Sequence, residues 1–129
     1  MTAMRVLIVD DEPLARQRLR HLLAEIPGTE VVGECGDGTD AARAIGDLAP
    51  DVVLLDVQLP DLDGFAVAEA LDGEPGAPIV VLVSSRALLD YGHRVDDSTA
   101  RGFIAKADLS SETLQHVIDG PGRPVPCSG

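Results

Sequence analysis

Basic residues are scarce in this chain: 10 Lys and Arg stand against 22 Asp and Glu in 129 residues, a formal charge of −12 at pH 7. Such an excess repels a phosphate backbone and anionic lipid headgroups, and no basic run offers a local exception. The expectation is no direct nucleic-acid binding and no membrane contact. Long apolar runs are also lacking, none reaching the roughly 18 residues of a membrane span. The opening MTAMRVLIVDDE has aspartates where a secretory leader would still be apolar, so a cytoplasmic protein is expected. Cysteine is limited to Cys35 and Cys127, which fit neither a zinc spacing nor a redox pair and are read as two free thiols. Lysine is rarest of all: Lys106 stands alone, and every other basic residue except three histidines is arginine. The histidines, His21, His93 and His116, share no spacing and read as surface residues.

What is present is apolar material in the right amount. Hydrophobic residues make up 45% of the chain, mean hydropathy is +0.13, and a chain of this length buries roughly 65–70% of its unfolded surface. One domain with an ordinary core is expected, without disulfides or a structural metal, and disorder is excluded as the main state.

The apolar residues fall into short β-rich runs alternating with amphipathic stretches. Five strands are predicted, at Arg5–Asp10, Glu30–Glu34, Asp51–Asp56, Pro78–Ser84 and Gly102–Ala105. Three of them are nearly continuous apolar runs, as a strand covered on both faces requires, so the sheet is predicted to be parallel and central. Pro13–Glu25 sets Ala15, Leu19, Leu22, Leu23 and Ile26 on one helical face, with Pro13 suited to the first turn. Thr39–Leu48 groups Ala42, Ile45, Leu48 and Ala49, and Phe65–Leu71 groups Phe65, Val67, Ala68 and Leu71. A helix interrupted by Gly92 is expected over Arg86–Thr99, and a last one over Ser110–Asp119 with a serine cap. Five β-α units predict right-handed crossovers, helices on both faces, and ligand binding outside the carboxyl ends of the strands. Residues 1–119 are read as the domain, and 120–129 (GPGRPVPCSG) as a Pro/Gly-rich tail with no capacity for a core.

Polar residues gather at those carboxyl ends: Asp10 and Asp11 after the first strand, Asp56 at the third, Ser84 and Ser85 at the fourth, Lys106 after the fifth. Taken singly, an acidic pair is a solvated turn or helix cap and a strand-end serine satisfies backbone groups. Together, three carboxylates form an oxygen site for a hard divalent ion such as Mg²⁺. Asp56, fixed by a buried strand, can attack phosphorus in line to give an acyl phosphate if Lys106 and Mg²⁺ take up the charge on the equatorial oxygens. A flexible ammonium acts there as a compact point charge, which a guanidinium does not replace. Ser84 would hydrogen-bond the phosphoryl group as a sensor. Asp61 and Asp63 are read as shaping the loop after Asp56, with Gly64 supplying a turn.

The blocks VLIVDDEPLAR, VVLLDVQLPDLDGF, VVLVSS and GFIAKADL, in this order, resemble the receiver domain of two-component response regulators over Arg5 to about Asp119. The resemblance implies an α/β, flavodoxin-like (βα)5 doubly wound parallel sheet of strand order 2-1-3-4-5. It also implies a phosphoryl group received from a sensor histidine kinase or histidine phosphotransfer protein. It makes Asp56 the phospho-acceptor, Asp10, Asp11 and the backbone carbonyl of Gln58 the Mg²⁺ contacts beside Asp56, Ser84 the switch hydroxyl, Lys106 the phosphate-binding lysine, and Phe103 the aromatic that moves inward. Gln58 and Arg86, two residues beyond the acceptor and the switch hydroxyl, overhang the site and would modulate it, with Arg86 screening the acyl phosphate from water. The sequence departs from the common pattern at Ala107, where a proline after a cis bond is usual, at Phe103 in place of tyrosine, and at Ser85, which offers a second register for the hydroxyl.

The expected protein is a stand-alone, single-domain receiver, monomeric or dimerising when phosphorylated, that catalyses only its own phosphorylation and dephosphorylation and signals through protein–protein contact. The alternative is a phosphorylation-independent adaptor or dimerisation module on the same fold. An aspartyl-phosphate phosphatase would need a further general acid and a cap domain. A flavin site is disfavoured because DDEP is no Ser/Thr/Gly-rich phosphate cradle.

Overall fold

The computed structural model describes residues 3–71, 74–85 and 100–119. Within them lie β1 (Met4–Val9), α1 (Pro13–Ala24), β2 (Thr29–Cys35), α2 (Gly38–Leu48), β3 (Val52–Asp56), α3 (Gly64–Leu71), β4 (Ile79–Ser84), β5 (Gly102–Ala105) and α4 (Ser111–Asp119). The five strands form one parallel sheet in the order 2-1-3-4-5. This is the predicted topology. The helix expected over 86–99 and the tail from 120 lie outside the described residues, as do Arg86, His93 and Cys127.

Strand alternation divides the core into two layers. Val6, Ile8, Val52, Leu54, Val81, Val83 and Ile104 face α1 and α4, where Leu19, Leu23, Leu114 and Ile118 meet them. Leu7, Val9, Val53, Leu55, Val80 and Leu82 face α2 and α3, against Ala41, Phe65 and Ala68. All five residues of β3 are buried, which explains why that strand reads as an unbroken apolar run. β1 and β2 stay in step only as far as Val6 and Val31; an irregularity then pairs Leu7 with Gly33. Gly33 suits this close packing, since a Cβ there would lie 2.9 Å from Leu48 Cδ1.

Local chemistry sets the helix ends. Pro13 opens α1 without a side-chain cap from Glu12. The Asp37 carboxylate caps α2 by accepting from Asp40 N (2.7 Å), and Ser110 Oγ accepts from Thr113 N (3.0 Å) at the start of α4. The inward face of α2 differs from the predicted one. Ala41, Ala44, Ile45 and Leu48 face the sheet, while Ala42 and Ala49 are exposed. Ala49 has left the helical path altogether, closing α2 in the left-handed region at φ 46°.

Candidate functional site

A parallel sheet brings all its carboxyl ends to one edge. β1 ends at Val9, so Asp10 and Asp11 stand just beyond it; β3 ends on Asp56; β5 ends at Ala105, followed by Lys106. One carboxylate oxygen from each of Asp10, Asp11 and Asp56 lies within 4.8 Å of the others. Asp10 and Asp56 are buried, at 1% and 6% exposure, and Asp11 is exposed. The Lys106 ammonium sits 2.9 Å from Asp10 Oδ2, 3.0 Å from Glu12 Oε1 and 3.7 Å from Asp56 Oδ2.

Backbone groups orient the acids. Glu12 N donates to Asp10 Oδ1 (2.9 Å) and Gln58 N to Asp56 Oδ1 (3.0 Å). Burial pushes the Asp56 carboxyl up to about 6, aided by the charges of Asp10 and Asp11 and opposed by the Gln58 amide and Lys106. Lys106 shows the opposite balance: burial favours the neutral amine, but hydrogen bonds to Asp10 and Glu12 and the nearby Asp56 charge outweigh it and hold the pKa above the ordinary lysine value. The three aspartates outnumber the single ammonium among them, and their donors are all hard oxygens. Such a set fits a divalent cation of the Mg²⁺ type, which would relieve the carboxylate repulsion that adds to burial in raising Asp56.

The remaining predicted residues border this cluster. Ser84 is fully buried at the tip of β4, one residue past Val83, the partner of Asp56, and itself paired with Ala105; Ser85 is exposed. Phe103 is half-buried against the α2/α3 layer and pairs with Leu82. The Gln58 side chain is exposed. The segment after Lys106 is a 3-10 turn over Lys106–Asp108, and no peptide among the described residues is cis. His21 and His116 are exposed, as expected, and Cys35 is a buried free thiol whose pKa burial raises.

Several supporting residues escaped the sequence reading. Glu12 was legible only as part of DDEP, yet it is a second anchor of Lys106. Arg16 Nη1 donates to the Asp10 carbonyl while its Nε faces Glu34 at 3.3 Å. Arg18 donates to the carbonyls of Lys106 (3.3 Å) and Leu109 (3.1 Å); nothing local in α1 signals a partner so remote in sequence. Gly64 is needed for a different reason from the one expected. It does not supply a turn but opens α3 hard against β3, where a Cβ would lie 2.7 Å from the Asp56 carbonyl oxygen and 2.8 Å from Val57 Cα.

A five-stranded 2-1-3-4-5 sheet with acids and a lysine at its carboxyl edge defines a class, the flavodoxin-like signalling domains. The chain belongs to the response regulator receiver domain family, whose profile matches residues 6–119. It is 47% identical over 85 residues to a protein-glutamate methylesterase/protein-glutamine glutaminase of Myxococcus xanthus, covering 66% of this chain and 24% of that protein. It is 36% identical over 122 residues to the positive alginate biosynthesis regulatory protein of Pseudomonas aeruginosa, covering 94% of this chain and 48% of that one. The matched region thus spans about a quarter to a half of the length of these relatives. Among solved structures, the signal receiver domain of NarL from Mycobacterium tuberculosis superposes with a TM-score of 0.83 at 32% identity, covering 95% of this chain and all of that one. Among the described residues no helix is long and apolar enough to cross a membrane.

Proposed function

We propose that this receiver takes a phosphoryl group on Asp56 from a phosphohistidine of a sensor histidine kinase or phosphotransfer protein, and signals by a phosphorylation-controlled protein–protein contact. The observation that carries this reading is the convergence on Asp56 of Lys106, 3.7 Å away, and the carboxylates of Asp10 and Asp11. These groups come from three separate strand ends and serve no purpose in the core.

In the proposed reaction, an ionised Asp56 oxygen forms a bond to phosphorus as the P–N bond to histidine breaks, and the imidazole leaves with the electron pair. Lys106 pairs with the phosphoryl oxygens, exchanging its contacts with Asp10 and Glu12 for them. Bound by Asp10, Asp11, Asp56 and the Gln58 carbonyl, Mg²⁺ would supply the remaining positive charge. Hydrolysis reverses the state: a water oxygen bonds to phosphorus, the acyl oxygen–phosphorus bond breaks, and the Asp56 carboxylate is regenerated with inorganic phosphate. No other substrate is turned over. Ser84 donates to the phosphoryl group and Phe103 follows it inward, held by apolar packing alone because it lacks a hydroxyl; together they shift a pre-existing equilibrium of the partner-binding surface. Arg86 and Gln58 set the lifetime of the acyl phosphate, and a slower or unchanged decay in Arg86→Ala removes Arg86 from that role.

The test is intact-mass spectrometry after incubation with acetyl phosphate, with and without Mg²⁺, on the wild type and Asp56→Asn. The expected result is a gain of one phosphoryl group that requires both Mg²⁺ and Asp56. If the wild type gains none, even from a histidine phosphotransfer donor, the reading falls and a phosphorylation-independent adaptor takes its place. The proposal extends to a cytoplasmic, single-domain regulator, monomeric or dimerising on phosphorylation, without direct nucleic-acid contact. Immunoblotting of fractionated native cells tests its size and place, and a product well above 13.5 kDa overturns the single-domain part.

A further inference from the structure

The loop between β3 and α3 is tied to a helix that takes no part in the acidic cluster. Asp61 reaches across from this loop to the first turn of α2: its Oδ1 accepts from Gly38 N (2.7 Å), and its Oδ2 from Thr39 N (3.0 Å) and Thr39 Oγ1 (2.8 Å). These donors hold the Asp61 carboxyl below the usual carboxylate range. The neighbouring Leu62 lies directly over Gly38, where a Cβ would stand 2.3 Å from Leu62 Cδ1 and 2.8 Å from Leu62 Cβ. Asp37, at the same helix end, already caps Asp40 N. Asp61 is therefore not α2's only cap but a link between α2 and the loop.

Inside the loop the backbone is short of ladder contacts. Gln58 and Asp63 form a single antiparallel bridge, and Leu59 N donates to Leu62 O (3.2 Å). On its α3 side the loop is held by the Asp63 carboxylate, which accepts from Phe65 N (2.8 Å), and Leu59 packs against the α2/α3 layer; Asp61 and Leu62 tie its tip to α2. Gln58, whose amide orients Asp56 and whose carbonyl is proposed to contact Mg²⁺, lies on the arm this anchor steadies.

We propose that Asp61 is a positioning residue for metal binding and phosphoryl transfer: by clamping the β3–α3 loop to the N-terminus of α2, with Leu62 seated on Gly38, it holds the Gln58 carbonyl in place for the cation. The inference rests on the Mg²⁺-dependent reading of Asp56. It assigns Asp61 no contact with metal or phosphate, and makes Gly38 a requirement of the site although it belongs to a different β-α unit.

Two variants attack the clamp from opposite sides. Asp61→Ala removes the carboxylate from the loop. Gly38→Ala leaves the loop sequence intact, displaces Leu62, and places a better helix former in α2. Mg²⁺ titrations followed by amide NMR shifts, and acetyl phosphate labelling by intact mass, are measured on both variants, the wild type and Asp11→Ala, with thermal unfolding in parallel. Outer-sphere partners of metal ligands are worth about 10–100-fold in affinity. As only one of four proposed protein contacts is affected here, a loss of roughly tenfold in Mg²⁺ affinity and in subsaturating labelling rate is expected for both variants. Excess Mg²⁺ should restore the labelling rate in variants that thermal unfolding without Mg²⁺ shows to be folded at the assay temperature; a variant unfolded there would owe its rescue to native-state binding instead. Unchanged Mg²⁺ affinity in Asp61→Ala, with wild-type labelling normal and Asp11→Ala impaired, overturns the clamp and leaves the acceptor reading standing. If the wild type neither binds Mg²⁺ nor is labelled, both fail.

Discussion

Replacing Asp56 with asparagine should make the metal-free protein more stable. A carboxyl 6% exposed and raised from 3.8 to about 6 binds a proton more tightly when folded than when unfolded. Its contribution to stability is therefore fully present below pH about 4 and is lost as pH rises through about 6. Two pKa units at 1.36 kcal/mol each amount to about 3 kcal/mol of destabilisation at pH 8. Asparagine stays neutral, and its oxygen can still accept from Gln58 N. Its amide faces Lys106 less well than an oxygen would, which reduces the expected gain to about 1.5–3 kcal/mol, or about 5–12 °C in Tm for a domain of this size. The assay is thermal unfolding of both proteins in EDTA from pH 4 to 8. The variant's advantage should be near zero at pH 4, grow up to about pH 6 and level off above it. Carboxylates remote from Asp56 cancel between the two proteins, so the difference reports Asp56 together with the charges coupled to it, Asp10, Asp11 and Lys106. Added Mg²⁺ should close the gap by stabilising the wild type through native-state binding. An advantage that is absent at pH 8, or constant from pH 4 to 8, refutes the assignment of the strain to this buried charge.

Labelling by acetyl phosphate at subsaturating Mg²⁺ should slow as pH falls through about 6, because protonated Asp56 is no nucleophile; a flat rate from pH 5 to 8 contradicts this. Gly64→Ala should destabilise the fold by about 1–3 kcal/mol and slow labelling, since both atoms its Cβ would strike belong to the backbone; urea unfolding and intact mass read the two effects. Glu12→Gln should cost less than about 1 kcal/mol, as Glu12 is the more exposed partner of Lys106, and should leave the pH-dependent difference at Asp56 in place. Leu54→Ala, at the centre of the α1/α4 layer, should cost about 2–5 kcal/mol in urea unfolding while the folded fraction retains labelling.

How much could be read in advance depended on whether a residue's role is written locally. Val52–Leu55 could be read as a central strand because burial on both faces removes alternation, and the acids at strand ends followed from the parallel topology. Lys106 stood out by its uniqueness. Asp61 could be recognised as a loop-shaping residue, but its donors lie 22 and 23 positions away, and no spacing rule spans that interval. Arg18 escaped for the same reason, with its carbonyl partners 88 and 91 positions ahead. The inward face of α2 was misassigned because alanines occupy both sides of it, and hydropathy does not tell Ala41 from Ala42. Gly64 was expected to provide conformational freedom, whereas its value is the absence of a Cβ beside the Asp56 carbonyl. That need is created by the docking of α3 on β3.

The contacts between Lys106 and the β1–α1 loop join residues as much as 94 positions apart, and β5, which delivers the lysine, is a four-residue strand at the sheet's outer edge. During ribosomal synthesis the acidic cluster can form as soon as β1 and β3 have emerged and paired, while its only lysine is still to be translated. A nascent chain at that point holds the three carboxylates together without their lysine. Docking of β5 is therefore what brings the lysine to the acids: the cluster meets its ammonium only once this edge strand has paired with β4.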